Sequence, residues 1–269
     1  MPLLRSAFIA LSTNKPLRRF SENSSMGRKL SSRFVAGLEI EDALRTAERL
    51  NKQGILATLD SLGESVSTES EAHQAAEVYH RLLDAIAARK INANISVKLT
   101  QVTLDMVRHL HARPEYKAHI GIVIQAYLFR SEADIHQLVD DGIRIRLCKG
   151  AYQEPPNIAF AQKTDTDTNY VRLTGLLLSS PIYHGIATHD EAMIEAAKSY
   201  AATHGITPEH FEFQMLYGVR RDLQRRLVKE GYNVRVYIPF GREWYPYFMR
   251  RLAERPANVF FLARNLLRS

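Results

Sequence analysis

The sequence predicts an α/β protein with a (βα)8 TIM-barrel-like fold, one strand short, preceded by N-terminal helices. Three observations predict it. Short apolar runs alternate with amphipathic helical stretches along nearly the whole chain, the pattern of parallel strands joined by right-handed crossovers. The 269 residues are enough for one such domain. Polar residues gather at the C-terminal ends of successive apolar runs, where a barrel of this class builds its active site. No repeat or linker divides the chain, so the reading is a helical segment over residues 1–36 and one barrel domain over 37–269.

The elements follow in order. The first 36 residues read as helical, basic and amphipathic. A helix over Glu41–Asn51 carries Ala43, Leu44, Ala47 and Leu50 on one stripe and stops at Gln53-Gly54, a good C-terminal signal. Ile55–Leu59 is a short buried strand that runs into Asp60, Gly63 and Glu64. A long helix spans about Glu69–Arg89, a strand Ile95–Leu99 and a helix about Leu104–Ala112. Further strands are expected at Ile120–Tyr127, Ile143–Lys149, His184–Thr188, Phe211–Leu216 and Val234–Pro239. Helices lie between them at about Glu132–Asp140, Ile158–Leu178 in broken form, Glu191–His204 and Arg221–Glu230. Two more close the chain, about Trp244–Glu254 and Val259–Leu267. The strand count is seven, whereas a closed barrel of this class has eight.

Composition narrows the function. Hydrophobic content of 45% and charged content of 24% are those of a folded globular chain. The net charge of +7 is concentrated early, in Arg5, Lys15, Arg18, Arg19, Arg28, Lys29 and Arg33. Such a patch suits solubility first, and also an anionic cofactor or a membrane surface. Cys148 is the single cysteine, which excludes an intrachain disulfide and suits a reducing compartment. Walker A, Gly-x-Gly-x-x-Gly and His-Glu-x-x-His patterns are missing from the sequence, and no metal site is expected. There is no aromatic-and-basic recognition module, so nucleic acid is not an expected partner.

One helical stretch stands out. At 3.6 residues per turn, Tyr247, Arg250, Arg251 and Glu254 share a face, while Tyr245, Phe248, Met249 and Leu252 take the other. Two adjacent guanidinium groups suit one small carboxylate or phosphate, although Arg/Glu pairs at this spacing also occur on solvated faces. The strand ends add Asp60, Lys98, Gln125, Tyr127, Arg146, Lys149, Tyr152, His189, Asp190, Gln214, Tyr217 and Tyr237. His184 is a candidate for an anion contact or for a structural role. Residue spacing alone reaches a barrel with a cationic site.

Longer motifs go further. Arg33-Phe-Val-Ala-Gly37, Ile95-Ser-Val-Lys98-Leu-Thr100 and Val123-Ile-Gln125-Ala-Tyr127 are joined by Arg146-Leu-Cys-Lys149-Gly150-Ala-Tyr152 and Ala187-Thr-His189-Asp190. Phe211-Glu-Phe-Gln214-Met-Leu-Tyr217-Gly218 and Tyr247-x-x-Arg250-Arg251-x-x-Glu254-Arg255-Pro256-Ala257-Asn258 follow in the same order. Together they resemble the flavin-dependent proline dehydrogenase family, in its short single-function bacterial form without an attached aldehyde dehydrogenase. The resemblance implies a distorted (βα)8 barrel that binds FAD and oxidises L-proline to Δ1-pyrroline-5-carboxylate by hydride transfer to flavin N5. It also implies a quinone or other electron acceptor and a cytoplasmic location, with peripheral contact at the inner membrane face.

Carried over by motif, Lys98, Arg250 and Arg251 would grip the substrate carboxylate. Tyr237 and Tyr247 would line the proline ring, with Tyr152 and Leu216 near it, and Glu254 would brace one arginine of the pair. Gln125, Arg146, Lys149, Thr188, His189 and Gln214 would contact FAD. The chain departs from the family at one place. After the Lys98 strand the family has a further helix and a strand reading roughly Val-Arg-Ile-Asp-Met-Glu. Here Leu99-Thr-Gln101-Val-Thr103 runs directly into Leu104-Asp-Met-Val-Arg-His-Leu. That strand's Asp, adjacent to flavin and substrate, has no replacement. The alternative expectation is therefore an inactive or non-catalytic relative.

Overall fold

A computed structural model describes residues 11–12, 14–24, 27, 29, 31–62, 69–96, 107–108, 111–114, 120–150 and 154–254. It contains two compact units. The first comprises residues 1–98, 216–219 and 236–269, the second residues 99–215 and 220–235. Strands β6 (Phe211–Leu216) and β7 (Asn233–Phe240) contribute residues to both.

In the first unit, helix α1 (Lys15–Asn23) starts where the Asn14 side chain accepts the Leu17 N–H, with a proline in the first turn. It ends at Ser24, and Ser32–Phe34 form a turn. Arg18 pairs with Glu22 on its own helix and with Glu243 near the end of the chain, which neutralises part of the basic patch. Helix α2 (Ile40–Asn51) begins with a capping box between Glu39 and Asp42. It buries Ala43, Leu44, Ala47 and Leu50 as expected, and Gly54 takes the left-handed conformation that ends it, φ +74°. Strand β1 (Leu56–Ser61) follows, with Ala57 and Leu59 fully buried. Helix α3 (Glu69–Arg89) leads to the short β2 (Ala93–Ile95), which pairs in parallel with β1. The expected second strand began at Ile95; pairing starts two residues earlier, and Lys98 lies outside the described residues. Helix α8 (Trp244–Glu254) carries Trp244, Tyr245, Phe248, Met249 and Leu252 into a cluster with Phe34, Val35, Leu62 and Val219.

In the second unit, β3 (Gly121–Gln125), β4 (Arg144–Cys148), β5 (His184–Ala187) and β6 are parallel neighbours. Helices α4 (Ser131–Asp140), α5 (Lys163–Leu178), α6 (Glu191–Thr203) and α7 (Arg221–Lys229) form the crossovers. Their buried stripes are Ile135 and Leu138; Tyr170, Leu173 and Leu177; Ile194, Ala197 and Ala201; and Leu223 and Leu227. Gly175 on α5 lets Tyr200 of α6 approach closely: a Cβ there would lie 2.9 Å from its ring. The fifth helix starts at Lys163 because Ile158 and Ala159 are used otherwise, in a turn and a bridge to Leu128.

The hydrogen-bonded strand order is β2-β1-β7-β6-β5-β4-β3. The last strand lies beside the first, the neighbour relation that closes a (βα) barrel. Among the described residues the sheet therefore has seven strands and ends at β2 and β3.

Candidate active site

The second unit supplies a polar sheet face. Side chains alternate along a strand, so β4 turns Ile145 and Leu147 into the buried layer and Arg144, Arg146 and Cys148 to the other side. Register extends this face across four strands. Val123, Arg146, Gly185 and Glu212 form one row; Gln125, Cys148, Ala187 and Gln214 form the next.

Gly185 decides how the two rows interact. A Cβ at this position would stand 2.4 Å from the Gln214 side-chain nitrogen, so only glycine leaves room for the Gln214 amide. Arg146 Nε donates to Gln214 Oε1 at 2.6 Å, and Gln214 Nε2 donates to Glu212 Oε1 at 2.6 Å. Arg235 Nε donates to the same Glu212 oxygen at 2.7 Å, and the Tyr183 hydroxyl donates to Glu212 Oε2 at 3.1 Å. Arg144 lies 4.9 Å over the Tyr183 ring and donates to the Tyr183 carbonyl. Glu212 is 1% exposed and Arg235 8%; a charge pair this buried persists because each member is hydrogen-bonded. Burial, followed by Glu212, pushes the Tyr183 hydroxyl well above its usual range.

A second network holds the strand ends. The Thr188 N–H donates to the Gln214 carbonyl at 3.1 Å, extending the ladder past β5, and Thr188 Oγ1 accepts the Asp190 N–H at 3.1 Å. Asp190 caps α6 through the Ala192 N–H and accepts from Lys149 Nζ at 2.9 Å. Lys149 also donates to Asp167 at 2.5 Å, and Lys163 reaches the other Asp167 oxygen. The Lys149 contact holds the Asp190 carboxyl below its usual range. Burial opposes the same effect at Asp167, where Lys149 and Lys163 outweigh it. Gly150 has φ +107°, and a Cβ on it would fall 2.1 Å from the Tyr127 ring; Tyr127 is thus buried beneath the Lys149-Gly150 turn. Burial pushes the Cys148 thiol up despite the nearby Arg146, so it stays protonated and is no nucleophile.

The expected cofactor residues Gln125, Arg146, Lys149, Thr188, His189 and Gln214 all fall on or just beyond β3–β6 of this unit. Arg146 touches Gln214 directly. Thr188 is joined to both the Gln214 backbone and Asp190, and Lys149 is held by two carboxylates. Gln125 and His189 are half-buried. The sequence reading missed Glu212, Arg235 and Asp167. A signal for the first existed: a charged residue between two phenylalanines in an otherwise apolar strand needs an internal partner.

The first unit carries the other expected residues. Tyr247 of α8 lies on the expected face beside Arg251 and is 6% exposed, within the hydrophobic cluster of its neighbours. The phenol ring is mostly apolar surface, and packing claims it. Arg251 is half-buried and stacks on Tyr247, its guanidinium carbon 4.9 Å from the ring centroid. Arg250 is exposed. Leu216 packs against the same cluster, and Tyr237 is half-buried on β7. The Tyr217 N–H donates to the Tyr237 carbonyl at 2.9 Å, while the Tyr217 hydroxyl accepts from Arg49 on α2, a structural tie. Gly218, at φ +75°, gives passage to the Arg33 carbonyl: a Cβ would sit 1.7 Å from it. Asp60 is buried at the end of β1. Lys98, Tyr152, Glu64 and the Glu254 side chain lie outside the described residues.

Comparison with known proteins resolves the lineage. The model of the family described as proline dehydrogenase matches residues 96–264. Proline dehydrogenase 1 of Bacillus subtilis is 40% identical, the match covering 99% of this chain and all of the relative. The chain belongs to the proline dehydrogenase family. A proline dehydrogenase of Deinococcus radiodurans is 38% identical, over 89% of this chain and 90% of the relative. The Bacillus match runs over 304 positions against the 269 residues here, so that family member carries residues this chain lacks.

The fold is shared with proline utilization A from Bdellovibrio bacteriovorus, solved after inactivation by N-propargylglycine. The TM-score is 0.80 at 23% identity, over 94% of this chain and 36% of the other. The chain thus spans about a third of that longer protein. Among the described residues no helix is long and apolar enough to cross a membrane, and no group of His, Cys, Asp or Glu could hold a metal ion.

Proposed function

We propose that this protein oxidises L-proline to Δ1-pyrroline-5-carboxylate with FAD and passes the electrons to a quinone or other acceptor. The observation that carries the reading is the Arg146–Gln214 pair over Gly185, in a chain of this family. It joins a cation on β4 to an amide on β6, each two residues before the C-terminal end of its strand, and a barrel of this class binds its ligand at those ends. The donor set fits a flavin dinucleotide in chemistry. Arg146, Gln125, Gln214, Thr188 and His189 offer donors to an anionic, heteroatom-rich ligand, and Gly185 keeps the Gln214 amide on the face. Bound FAD supplies the two-electron acceptor for the hydride that leaves proline C5.

The chain's own residues bind and orient. Arg146, fixed through Nε by Gln214, places positive charge where negative charge develops during reduction. Lys149 sits between Asp167 and Asp190, so its role here is chiefly to hold the β4–α5–α6 corner to which Thr188 is joined. In the other unit Arg250 and Arg251 bind the substrate carboxylate, with Lys98 assisting and Glu254 bracing the pair. Arg251 has its guanidinium plane set by the Tyr247 ring, which lowers the entropy lost on binding. Tyr237, Tyr247, Leu216 and Tyr152 line the apolar ring. The substrate amine reacts unprotonated, because its lone pair assists hydride loss. The basic N-terminal segment is suited to peripheral contact with an anionic membrane surface.

A second reading rests on the sequence: Leu99-Thr-Gln101-Val-Thr103 runs directly into Leu104 where the family has a further helix and an Asp-bearing strand, so a protein that keeps the fold without turnover is the competing proposal. The test is the visible spectrum of the purified protein, followed by anaerobic addition of L-proline. Bound flavin that bleaches supports oxidation. Bound flavin that does not bleach, with proline binding retained in calorimetry, supports the non-catalytic reading.

A further inference from the structure

Glu212 is the second residue of β6, in the row of Arg146 and one row behind Gln214, and it belongs to none of the motif positions expected to touch a ligand. Its carboxylate is an acceptor on every edge. Arg235 and Gln214 donate to Oε1 at 2.7 and 2.6 Å, and Tyr183 donates to Oε2 at 3.1 Å. The consequence concerns Gln214. An amide has one donating and one accepting end, and a flip exchanges them. With Glu212 as neighbour, Gln214 must turn its NH2 inward, and its carbonyl oxygen then faces Arg146, which donates to it at 2.6 Å. A flipped amide would set carbonyl against carboxylate on one side and NH2 against guanidinium on the other, losing both bonds at once.

We propose that Glu212 is a positioning residue: through the Gln214 amide it fixes the rotamer and the Nε edge of Arg146, while Arg235 and Tyr183 fix Glu212 itself. The relay runs Arg235–Glu212–Gln214–Arg146 and lies within one compact unit. It is anchored at a buried ion pair, 1% and 8% exposed, where removal of one partner is strongly unfavourable. Gly185 keeps the path open. The functional part of the inference rests on the flavin reading above, because Arg146 is the member assigned to the cofactor.

The relay separates two substitutions at one position. Glu212→Leu removes the acceptor that orders Gln214 and frees its amide to flip. Glu212→Gln does not, because Arg235 and Gln214 meet the same oxygen, Oε1: a glutamine oxygen there still accepts from both, while its NH2 donates to the Tyr183 hydroxyl.

The first measurement needs no flavin: the exchange protection of the Arg146 Nε–H in 15N spectra, with the signal assigned by its disappearance in Arg146→Lys. The wild type is expected to show a protected signal, Glu212→Leu to lose it, and Glu212→Gln to keep it. A signal equally protected in folded E212L overturns the proposal. If E212L does not fold, the signal is read in the double variant Glu212→Leu with Arg235→Leu, which leaves no buried charge unpaired: loss of protection supports the proposal, and retained protection overturns it. The second measurement is flavin affinity by fluorescence quenching, expected to be about tenfold weaker in E212L, the loss of one charge-assisted contact. A wild type that binds no flavin overturns the flavin reading, while the arginine signal still decides whether Glu212 positions Arg146.

Discussion

Lowering the pH should destabilise this protein through His184, a residue at the start of β5 and far along the strand from the polar ends. Its side chain is 1% exposed. The Ile145 N–H donates to Nδ1 at 3.0 Å, so Nδ1 carries a lone pair and the ring proton sits on Nε2, 2.8 Å from Ser180 Oγ. Burial first, then the positive charge of Arg144, push its pKa down to about 4, against a smaller raising effect of the Ile145 contact. An unfolded histidine titrates near 6.5. The unfolded chain therefore takes up a proton below pH 6.5 that the folded chain refuses until about pH 4. The contribution of the neutral ring is complete above pH 6.5 and declines as pH falls, by about 2 kcal/mol at pH 5 and about 3 kcal/mol at pH 4. The assay is urea unfolding from pH 7 to pH 5 for the wild type and His184→Asn. The Asn Oδ1 can replace Nδ1 as acceptor and does not titrate. Carboxylate contributions are common to both and cancel in the difference. The wild type should lead at pH 7, and its lead should shrink by about 2 kcal/mol by pH 5. Parallel curves would refute the assignment of a buried neutral imidazole.

Two further substitutions test the site. Gly185→Ala places a methyl 2.4 Å from the Gln214 amide nitrogen; the amide must leave Arg146 and Glu212, lowering stability by about 2–3 kcal/mol in denaturant titration and weakening flavin binding about tenfold. Arg251→Ala removes one fork of the proposed carboxylate clamp and its stack on Tyr247; the KM for proline should rise roughly tenfold to a hundredfold with kcat less affected, as expected where a contact serves ground state and transition state alike.

Much of the fold was legible because its signals are local. The stripe Ala43, Leu44, Ala47 and Leu50 repeats at helical spacing, and Gly54 stops it, so α2 needed no tertiary information. The apolar cores of β4 to β7 were equally plain. What was not legible has physical causes. The residues before Gly37 read as helical, but periodicity does not register a cap, and the end of α1 at Ser24 depends on one. Helical spacing set Tyr247 beside the arginines, and Arg251 stacks on it. Spacing sorts residues by angle and not by burial, so it did not show that the same ring joins the cluster around Phe248 and Trp244. The candidate site was legible only in part. Arg146, Lys149 and Gln214 stand late in or just after apolar runs, where position along the chain singles them out. Glu212 and Arg235 come early in β6 and β7, and their pairing depends on how those strands meet, which no local pattern encodes. Lys149 was carried over as a cofactor contact from the Arg146-Leu-Cys-Lys149-Gly150-Ala-Tyr152 motif, and a motif does not show what else holds the side chain. The two carboxylates that hold it, Asp167 and Asp190, come from α5 and the α6 cap, distant in sequence.

Edge position bears unevenly on what the sheet face of the second unit can do. Among the described residues β3 is an edge strand. On it Ile124 is 7% exposed but Val123 is 49% exposed. Val123 begins the row that continues through Arg146 and Gly185 to Glu212. An apolar side chain half in the open is a cost of such an edge. Arg146 is only one strand from Val123, yet the bond that orders it points away from the edge, to Gln214 on β6. Gln214 is ordered in turn by Glu212, and Glu212 by Arg235 on β7. A site whose order came from its β3 neighbour would depend on the least supported strand of this face. Here the cationic contact is held from the other side, through a relay that β3 does not enter.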